Sequence, residues 1–432
     1  MSAASERAIQ ALEQVVKVVP VGTNLALLHL LWAMLSGAFL HSRGAVFPAL
    51  RLAGFTVAQV RRCGQALRCG AWRTADLVQA WRGYVLRQGQ WQPNCYEGYQ
   101  PVAADLTAFW RPRLKGPVGK FFHRIANRAL RGIGFGLVVQ VGHVVEQRLP
   151  LLRRIVRAPN DKASESQLKY QVLRAVAEDL EENEVLTHDA GATIADMQVA
   201  GVPRYVVRMA LNCTARRNVL PPRKKKGRPP KYGELVRPLP RKYKGHTIPA
   251  TPPDVETEFP FQGRTIRVQG WHNLVRADQK AAADNETFTI WVFFDPLHRD
   301  PLVLGTNLTV QPETVFLLYL DRWPVEQVPL VAKQLLGLER QFVFAPTSRQ
   351  RLPELALLAA NILTYLAAVL PPLPTGFWDR QPKRTPGRLR RVLAQAGFPK
   401  DYPLDGQIRK KQSVTGHLPK GVEAHRRRKA AQ

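Results

Sequence analysis

The sequence predicts an α/β protein: a core of mixed strands and helices with a β-rich insertion, flanked by helical N-terminal and basic C-terminal regions. Three observations predict this class. The chain has 432 residues, more than one ordinary domain needs, and 45% of them are hydrophobic. Strand-like and helical segments alternate through its middle, which is typical of an α/β arrangement. Two basic, proline-broken stretches interrupt this pattern, near residue 230 and after residue 370.

The charge of the chain indicates what kind of partner it binds. Lys and Arg number 63 against 33 Asp and Glu, a formal net charge of +30. Such a field favours a polyanion, most simply nucleic acid, over a neutral metabolite or an acidic protein. A basic ribosomal or architectural protein would carry the same charge, so no reaction follows from charge alone.

Residues 1–95 are predicted to form a helical, DNA-binding region. The segment from Thr56 to Gln59 has the form of a capping box, and Thr74 is placed to cap the next helix. Both helices carry arginines, among them Arg61 and Arg82. A helix-turn-helix would present such faces to DNA, and an ordinary helical pair is the alternative.

Residues 96–215 are predicted to form the first part of the core. The expected order is three strands, a helix capped at Ser164, a strand, a helix and a strand. This mixed order is that of an RNase H-like core. Asp105 lies in the first strand, and Asp189 directly follows the strand at 185–188. The strands are expected at 101–109, 135–145, 149–156, 185–188 and 205–211.

Residues 216–310 are predicted to hold a basic arm and a β-rich insertion. The arm, 216–244, contains twelve Lys and Arg and one Glu in 29 residues, and its prolines argue against regular structure. It is either a solvated loop or, as its charge density favours, a segment lying on a phosphate backbone. Its candidate DNA contacts are Arg223, Lys224, Lys225, Lys226, Arg228 and Lys231.

Residues 311–370 are predicted to complete the core with helices, and 371–432 to form a mobile basic tail. Two apolar stretches, 25–40 and 355–370, are too short for a membrane span of about 20 residues and contain polar groups, so we expect core helices and no membrane partner. The four cysteines are few and spread, which favours buried thiols in a reducing cytosol. No secretion signal is expected at the N-terminus.

A stripe of chemically active side chains is predicted in the third part of the core. Tyr319, Arg322, Glu326 and Lys333 fall within about 60° on a regular helix. Such a stripe can place a metal-binding carboxylate among cations that grip phosphates. The alternative is a surface salt bridge between Arg322 and Glu326. Prolines within this stretch can kink the helix.

The spacing Tyr-x2-Arg-x3-Glu-x6-Lys resembles the signature of the DDE transposases of insertion sequence family four. DLTAF around Asp105, THDAG around Asp189 and YLDRWPVEQ at 319–327 also resemble that superfamily, over roughly residues 100–370. The resemblance implies that Asp105, Asp189 and Glu326 are the catalytic acids. It also implies that they hold two Mg²⁺ or Mn²⁺ ions and that Tyr319, Arg322 and Lys333 contact DNA.

Each implied acid has an alternative. Asp76 competes weakly with Asp105, although it lies in a helical region. Asp189 could cap a helix, and Asp196 lies two turns away. Relatives stack a tryptophan on a base flipped out near the transposon end. Trp271 and Trp291 are the candidates here, and each is equally acceptable as a core residue.

The resemblance implies a cut-and-paste transposase. It would bind the terminal inverted repeats as a homodimer in a synaptic complex, cut them and join the 3′ ends to target DNA. We expect a cytoplasmic, nucleoid-associated prokaryotic protein. The alternatives are a non-catalytic DNA-binding derivative and a metal-dependent nuclease on the same core.

Overall fold

The computed structural model describes residues 2–111, 113–114, 118–123, 125–160, 162–223 and 229–411. The predicted helical N-terminal region is confirmed. The predicted capping box is also confirmed, because Thr56 and Gln59 satisfy each other's backbone N–H groups at the start of α5. The six helices are α1 (Ala3–Val16), α2 (Thr23–Leu35), α3 (Ala38–His41), α4 (Val46–Leu52), α5 (Val57–Cys69) and α6 (Thr74–Gln88).

Two details of the helical prediction are wrong. Thr74 is not the cap of α6 but its first residue, since its hydroxyl instead donates to the buried carboxylate of Glu354, at 2.6 Å. Further, α5 packs on α2, whereas α6 packs on α1. The apolar faces of α5 and α6 are therefore covered by different neighbours. These two helices lack the mutual packing of a helix-turn-helix. DNA binding by this region remains a prediction.

A mixed sheet follows, in which β2 lies between β4 and β6. β2 lies parallel to β6 and antiparallel to β4; β4 is antiparallel to β5, and β6 is parallel to β7. The predicted capping box at Ser164 begins α7. The elements are β1 (Gln92–Pro93), β2 (Gln100–Trp110), β3 (Lys120–His123), β4 (Arg128–Val144), β5 (Gln147–Arg157), α7 (Glu165–Asp179), β6 (Glu184–His188), α8 (Ile194–Ala200) and β7 (Tyr205–Arg208).

The predicted β-rich insertion is strand-rich but is not a separate block. β15 pairs with β7, so the insertion strands extend the core sheet, which has thirteen strands among the described residues. The basic arm also contains short strands, contrary to expectation, because β8 and β9 pair at the sheet edge. The elements are β8 (Ala215–Arg217), β9 (Leu235–Val236), β10 (Arg241–Tyr243), β11 (His246–Ile248), β12 (Val255–Phe261), β13 (Arg264–Arg276), β14 (Phe288–Phe294) and β15 (Leu302–Thr306).

The C-terminal part is helical but irregular. A 3₁₀ turn at Trp323–Glu326 and a π-helical turn at Val331–Leu335 interrupt the single helix expected from the pattern. Pro324 and Pro329 explain this, since proline provides no N–H to the i−4 carbonyl. The α-helices are α9 (Pro312–Leu320), α10 (Gln327–Leu330), α11 (Pro346–Val369) and α12 (Pro386–Ala396).

The predicted tail is partly packed. α12 lies against α11, and Asp405 pairs with Lys17 of α1 at 2.9 Å. The prediction of a mobile tail from residue 371 is therefore wrong as far as residue 411, because apolar side chains such as Leu389 and Leu393 are buried against the helices. Residues 412–432 lie outside the described residues.

The predicted core helices are confirmed. By length and composition α11 could cross a membrane, but 94% of its most apolar window is buried inside the protein. α2 is also buried, and both helices share one hydrophobic core with α5, α6 and the sheet. The cysteines are free thiols; Cys63 is buried as expected, whereas Cys69 and Cys95 are exposed.

A buried amide joins this core helix to the sheet. The Asn361 Oδ1 atom accepts from Trp81 Nε1 at 2.8 Å and from the Leu152 backbone N–H at 3.1 Å, and its Nδ2 donates to the Pro150 carbonyl at 2.7 Å. All of these atoms are buried, so each depends on Asn361 for its hydrogen bond.

We predict that Asn361→Leu, which keeps the number and branching of the side-chain heavy atoms, lowers the free energy of unfolding by about 3 kcal/mol, because three buried polar groups lose their partner. Thr364→Val is the matched control. Its hydroxyl bonds only the Ala360 carbonyl one turn earlier, so its loss costs at most about 1 kcal/mol. Denaturant unfolding of both variants measures the difference, and equal losses would contradict the role of Asn361.

Candidate active site

Asp105 and Asp189 lie side by side. The parallel register pairs Ala103 of β2 with Thr187 of β6, and each aspartate lies two residues further along its chain. β2 continues beyond this point, whereas β6 ends at His188. The structure therefore brings two of the three predicted acids together at the carboxyl end of β6.

Asp105 is a half-buried carboxyl beside a like charge. Burial, and then repulsion from Asp189, raises its pKa to about 6. One carboxylate oxygen accepts from the Leu106 N–H at 2.7 Å, which lowers the pKa and only partly offsets the increase. Asp105 is thus the acid whose ionisation most needs a nearby cation.

Asp189 is held in its ionised form. Its pKa lies well below the usual range, chiefly because of the hydrogen bond from His188, whose Nδ1 lies 3.3 Å from Oδ1. The same Oδ1 accepts from the Gly191 N–H at 2.9 Å. The two aspartates therefore differ in their pKa values, although they are neighbours.

The competing acids have structural roles. Thr193, not Asp189, caps α8, and Asp196 completes that capping box and pairs with Lys169 at 2.9 Å. Asp76 pairs with Arg73 on an exposed turn of α6, at 2.7 Å. The helix-cap interpretation of Asp189 is wrong, because α8 begins five residues after it.

The predicted stripe does not lie on one regular helix. Glu326 ends the 3₁₀ turn that packs against β2, and its carboxylate accepts from Arg322 at 2.8 Å. Arg322 is buried and interacts electrostatically with Tyr319 and Asp189 as well as with Glu326. Its guanidinium therefore links the third predicted acid to the second.

Lys333 reaches the site from the π-helical turn. Its Nζ donates to Thr107 Oγ1 at 2.8 Å, two residues beyond Asp105, and lies 4.7 Å from the centre of the Trp110 ring. Burial lowers its pKa to about 8, despite attraction from Glu339 and Asp105. The ammonium thus stays largely charged at neutral pH on the Asp105 side of the site.

Asp321 is a structural residue that the sequence analysis missed. It is buried and accepts from Asn94 at 2.7 Å and from Tyr96 at 2.9 Å, and its carboxylate lies 3.3 Å from Arg148. It therefore anchors the chain between Tyr319 and Arg322 to the sheet. In the sequence, the only feature that could have drawn attention to Asp321 is its position directly before Arg322.

A cleft of about 620 Å³ adjoins Tyr319 and Arg322. Phe261, Phe316, Arg208 and Arg264 are among its lining residues. The aromatic rings and the guanidinium of Arg208 suit bases and phosphates, whereas Arg264 is paired with Asp295 of the same cleft at 2.8 Å. Nothing in the sequence pattern joins these residues, which come from β7, the β12–β13 hairpin and α9.

The stacking role of Trp271 and Trp291 is not supported. Their exposed fractions are 0% and 5%, so both are core residues of the sheet, and neither face can receive a base without unfolding. Trp323 is an accessible tryptophan that the sequence analysis missed. It is 63% exposed and lines the cleft beside Arg322.

The basic arm is described only in part. Arg223 and Lys231 are exposed, whereas Lys224, Lys225, Lys226 and Arg228 lie outside the described residues. The base of the arm is fixed, since Arg217 forms two hydrogen bonds to the Asp254 carboxylate and Arg216 donates to the Gly233 carbonyl. These two arginines are thus engaged within the protein.

The metal-binding prediction fits two of the three acids. Asp105 and Asp189 offer hard oxygen donors whose mutual repulsion a divalent cation would relieve. Glu326 is directed to Arg322 instead. In the part of the chain that the structure describes, no group of three or more His, Cys, Asp or Glu is placed to hold a metal ion. In this structure Glu326 is therefore not grouped with the two aspartates.

Comparison with known proteins shows no family for this chain. No protein-family model matches it, and no curated protein sequence matches it. Its function is therefore inferred from the charge, the paired acids and the surrounding cations.

We predict that Asp105→Asn stabilises the protein at pH 7.5 in the presence of EDTA. The folded pKa, about 6, lies above the ordinary value of 3.8. The folded protein is therefore more stable when Asp105 is protonated than when it is ionised. This contribution is fully present below pH 4 and is lost as the pH rises through 6. The increase in pKa corresponds to a free energy of about 3 kcal/mol. We reduce it to about 1–2 kcal/mol, because the side chain is half-buried and solvent screens its charge.

The expected increase in Tm is about 2 °C at pH 7.5, falling to none at pH 4. Asp284→Asn, which removes an exposed carboxylate, is the control and should leave Tm unchanged at both pH values. A lower Tm for Asp105→Asn at pH 7.5 would mean that a fixed cation of the protein already compensates this charge.

Proposed function

We propose that the protein is a DDE-type transposase, which cleaves DNA at the ends of a mobile element and joins the 3′ ends to target DNA. The observation that carries the proposal is the pairing of Asp105 with Asp189 on neighbouring parallel strands, with Arg322 and Lys333 beside them. Metal-assisted phosphodiester chemistry uses this combination of carboxylates and cations. The net charge of +30 favours the polyanionic substrate.

The strand order supports an RNase H-like core. The sequence β5-β4-β2-β6-β7, with β2, β6 and β7 parallel and β4 antiparallel, is the order expected of that fold. The sheet then continues into the insertion strands through β15. In this proposal the insertion extends the DNA-binding surface beside the acids.

Asp105, Asp189 and Glu326 would hold the metal, two Mg²⁺ or Mn²⁺ ions. Such ions activate the attacking oxygen and stabilise the departing 3′ oxygen. Glu326 joins the set only when Arg322 releases it. A DNA phosphate is the natural competitor for Arg322, because a guanidinium binds phosphate as well as carboxylate. Binding of DNA would thereby free the third acid.

The remaining side chains bind and orient the substrate. Lys333, anchored by Thr107, would contact a phosphate on the Asp105 side, and the Tyr319 hydroxyl would donate to one on the Arg322 side. Above pH 6 the Asp105 carboxyl is ionised and available as a ligand. The partners proposed are the terminal inverted repeats, target DNA and a second copy of the chain. The proposed location is the prokaryotic cytoplasm, at the nucleoid.

One observation favours a second candidate, a non-catalytic DNA-binding derivative. The Arg322–Glu326 ion pair occupies the third acid, and the described residues include no three-carboxylate cluster. Such a protein would keep the basic surface without the reaction.

We predict that the protein joins a labelled terminal-repeat duplex to target DNA in Mg²⁺, and that Asp105→Asn, Asp189→Asn and Glu326→Gln each reduce joining at least 10³-fold while retaining DNA binding. Each change removes a metal-binding charge at nearly constant size. Glu313→Gln, on the exposed face of α9, is the control and should join normally.

The alternatives give different products in the same assay. Cutting without joining would identify a nuclease, and binding without either would identify the non-catalytic derivative. If Glu326→Gln retains full joining while the two aspartate variants lose it, Glu326 is not the third acid.

A further inference from the structure

The loop between α11 and α12, residues 371–385, presents two aromatic rings to solvent. Phe377 is 99% exposed and Trp378 is 67% exposed. Their ring centres lie 5.0 Å apart with the planes at 80°, an edge-to-face pair. Large side chains so fully exposed and adjacent in sequence mark a surface that contacts another molecule.

The loop holds these rings on a fixed framework. The Asp379 carboxylate accepts from the Thr375 N–H at 2.9 Å, the Thr375 hydroxyl at 3.0 Å and the Gln381 N–H at 3.1 Å. It also pairs with Arg388 of α12 at 3.0 Å. Arg388 in turn donates to the Leu373 carbonyl at 2.7 Å.

The two ends of the loop are also joined. Leu373 and Lys383 form an antiparallel bridge across its base. At Gly376 a Cβ would lie 2.5 Å from the Trp378 indole, so the ring packs directly over this glycine. The aromatic pair is therefore held outward by the loop's own hydrogen bonds and packing.

The loop that carries the aromatic tip is cationic. Arg380, Lys383 and Arg384 are exposed, and the one acid of the loop, Asp379, is neutralised by Arg388. An apolar tip on a loop that carries three exposed positive charges complements a base stack flanked by phosphates. It does not complement a second copy of the same loop, because three charges would then face three of the same sign.

The loop is connected to the candidate active site through α12. The first turn of α12, at Gly387, lies against Leu335 of the π-helical turn. Lys333, two residues before Leu335, contacts the Asp105 strand. The aromatic tip thus belongs to the same packed unit as the proposed phosphate ligand.

We propose that the loop 371–385 is a DNA wedge: Phe377 and Trp378 insert between base steps from the minor groove and kink the duplex, while Arg380, Lys383 and Arg384 bind the flanking phosphates. The inference rests on the proposed function only in taking DNA as the partner. An inserted ring unstacks a step at a cost of a few kcal/mol, so duplexes that are already weakened there bind more tightly.

The test uses the full chain and a 30-base-pair duplex with fluorophores at both ends, so that energy transfer reports bending. A second duplex carries a two-base mismatch at its centre. Wild type is expected to bend the matched duplex and to bind the mismatched one about tenfold more tightly. Phe377→Ala/Trp378→Ala should abolish both effects while changing affinity for the matched duplex less than threefold.

Two further variants separate the contribution of the cations from that of the aromatic rings. Arg380→Gln/Lys383→Gln/Arg384→Gln should reduce the slope of log affinity against log salt by about 2–3, because three phosphate contacts are lost. Phe122→Ala, which removes a ring on β3 that is 51% exposed, should behave as wild type. Circular dichroism and Tm confirm that each variant is folded.

The outcomes test the wedge proposal and the transposase proposal separately. Bending by wild type without metal-dependent cleavage supports the wedge and contradicts the transposase. Cleavage and joining with no bending, or bending retained by Phe377→Ala/Trp378→Ala, overturns the wedge and leaves the transposase standing. A change of mass by that variant in sedimentation, with bending unchanged, would assign the aromatic pair to a contact between copies of the chain.

Discussion

The parallel pairing of β2 with β6 places two carboxylates next to each other in a half-buried position, and the electrostatics of the site follow from that contact. Two like charges so placed cannot both ionise freely, and Asp105 carries most of the cost as a raised pKa. His188 keeps Asp189 ionised, while Arg322 supplies positive charge near Asp189 and Lys333 supplies it near Asp105. In the proposed function a divalent cation would relieve this repulsion.

The cations depend on an irregular stretch of chain between α9 and α11. Asp321 fastens its beginning to the sheet, the 3₁₀ turn packs on β2, and the π-helical turn directs Lys333 towards Thr107. A straight helix would have placed all four predicted side chains in one stripe. The prolines divide them instead between two sides of the acid pair.

The ion pair between the buried Arg322 and the partly exposed Glu326 gives a way to couple substrate binding to the site. A guanidinium that holds the third acid in the free protein can exchange it for a DNA phosphate, so that the carboxylate set is completed only on binding. The rigid loop 371–385, connected through α12 to the turn that carries Lys333, would act on the same DNA. Both proposals depend on lysine and arginine side chains, and the chain has 63 of these against 33 acidic residues.

The sequence by itself determined the charge, the capping boxes at Thr56 and Ser164, the main strands and the buried nature of α11, because these depend on composition and on local periodicity. It also singled out Asp105, Asp189 and Glu326. Only the tertiary structure decided that the insertion strands extend the core sheet, that Trp271 is buried and that Trp323 is accessible. Strand pairing across a hundred residues and the burial of a particular ring depend on contacts between distant segments, which no local pattern encodes.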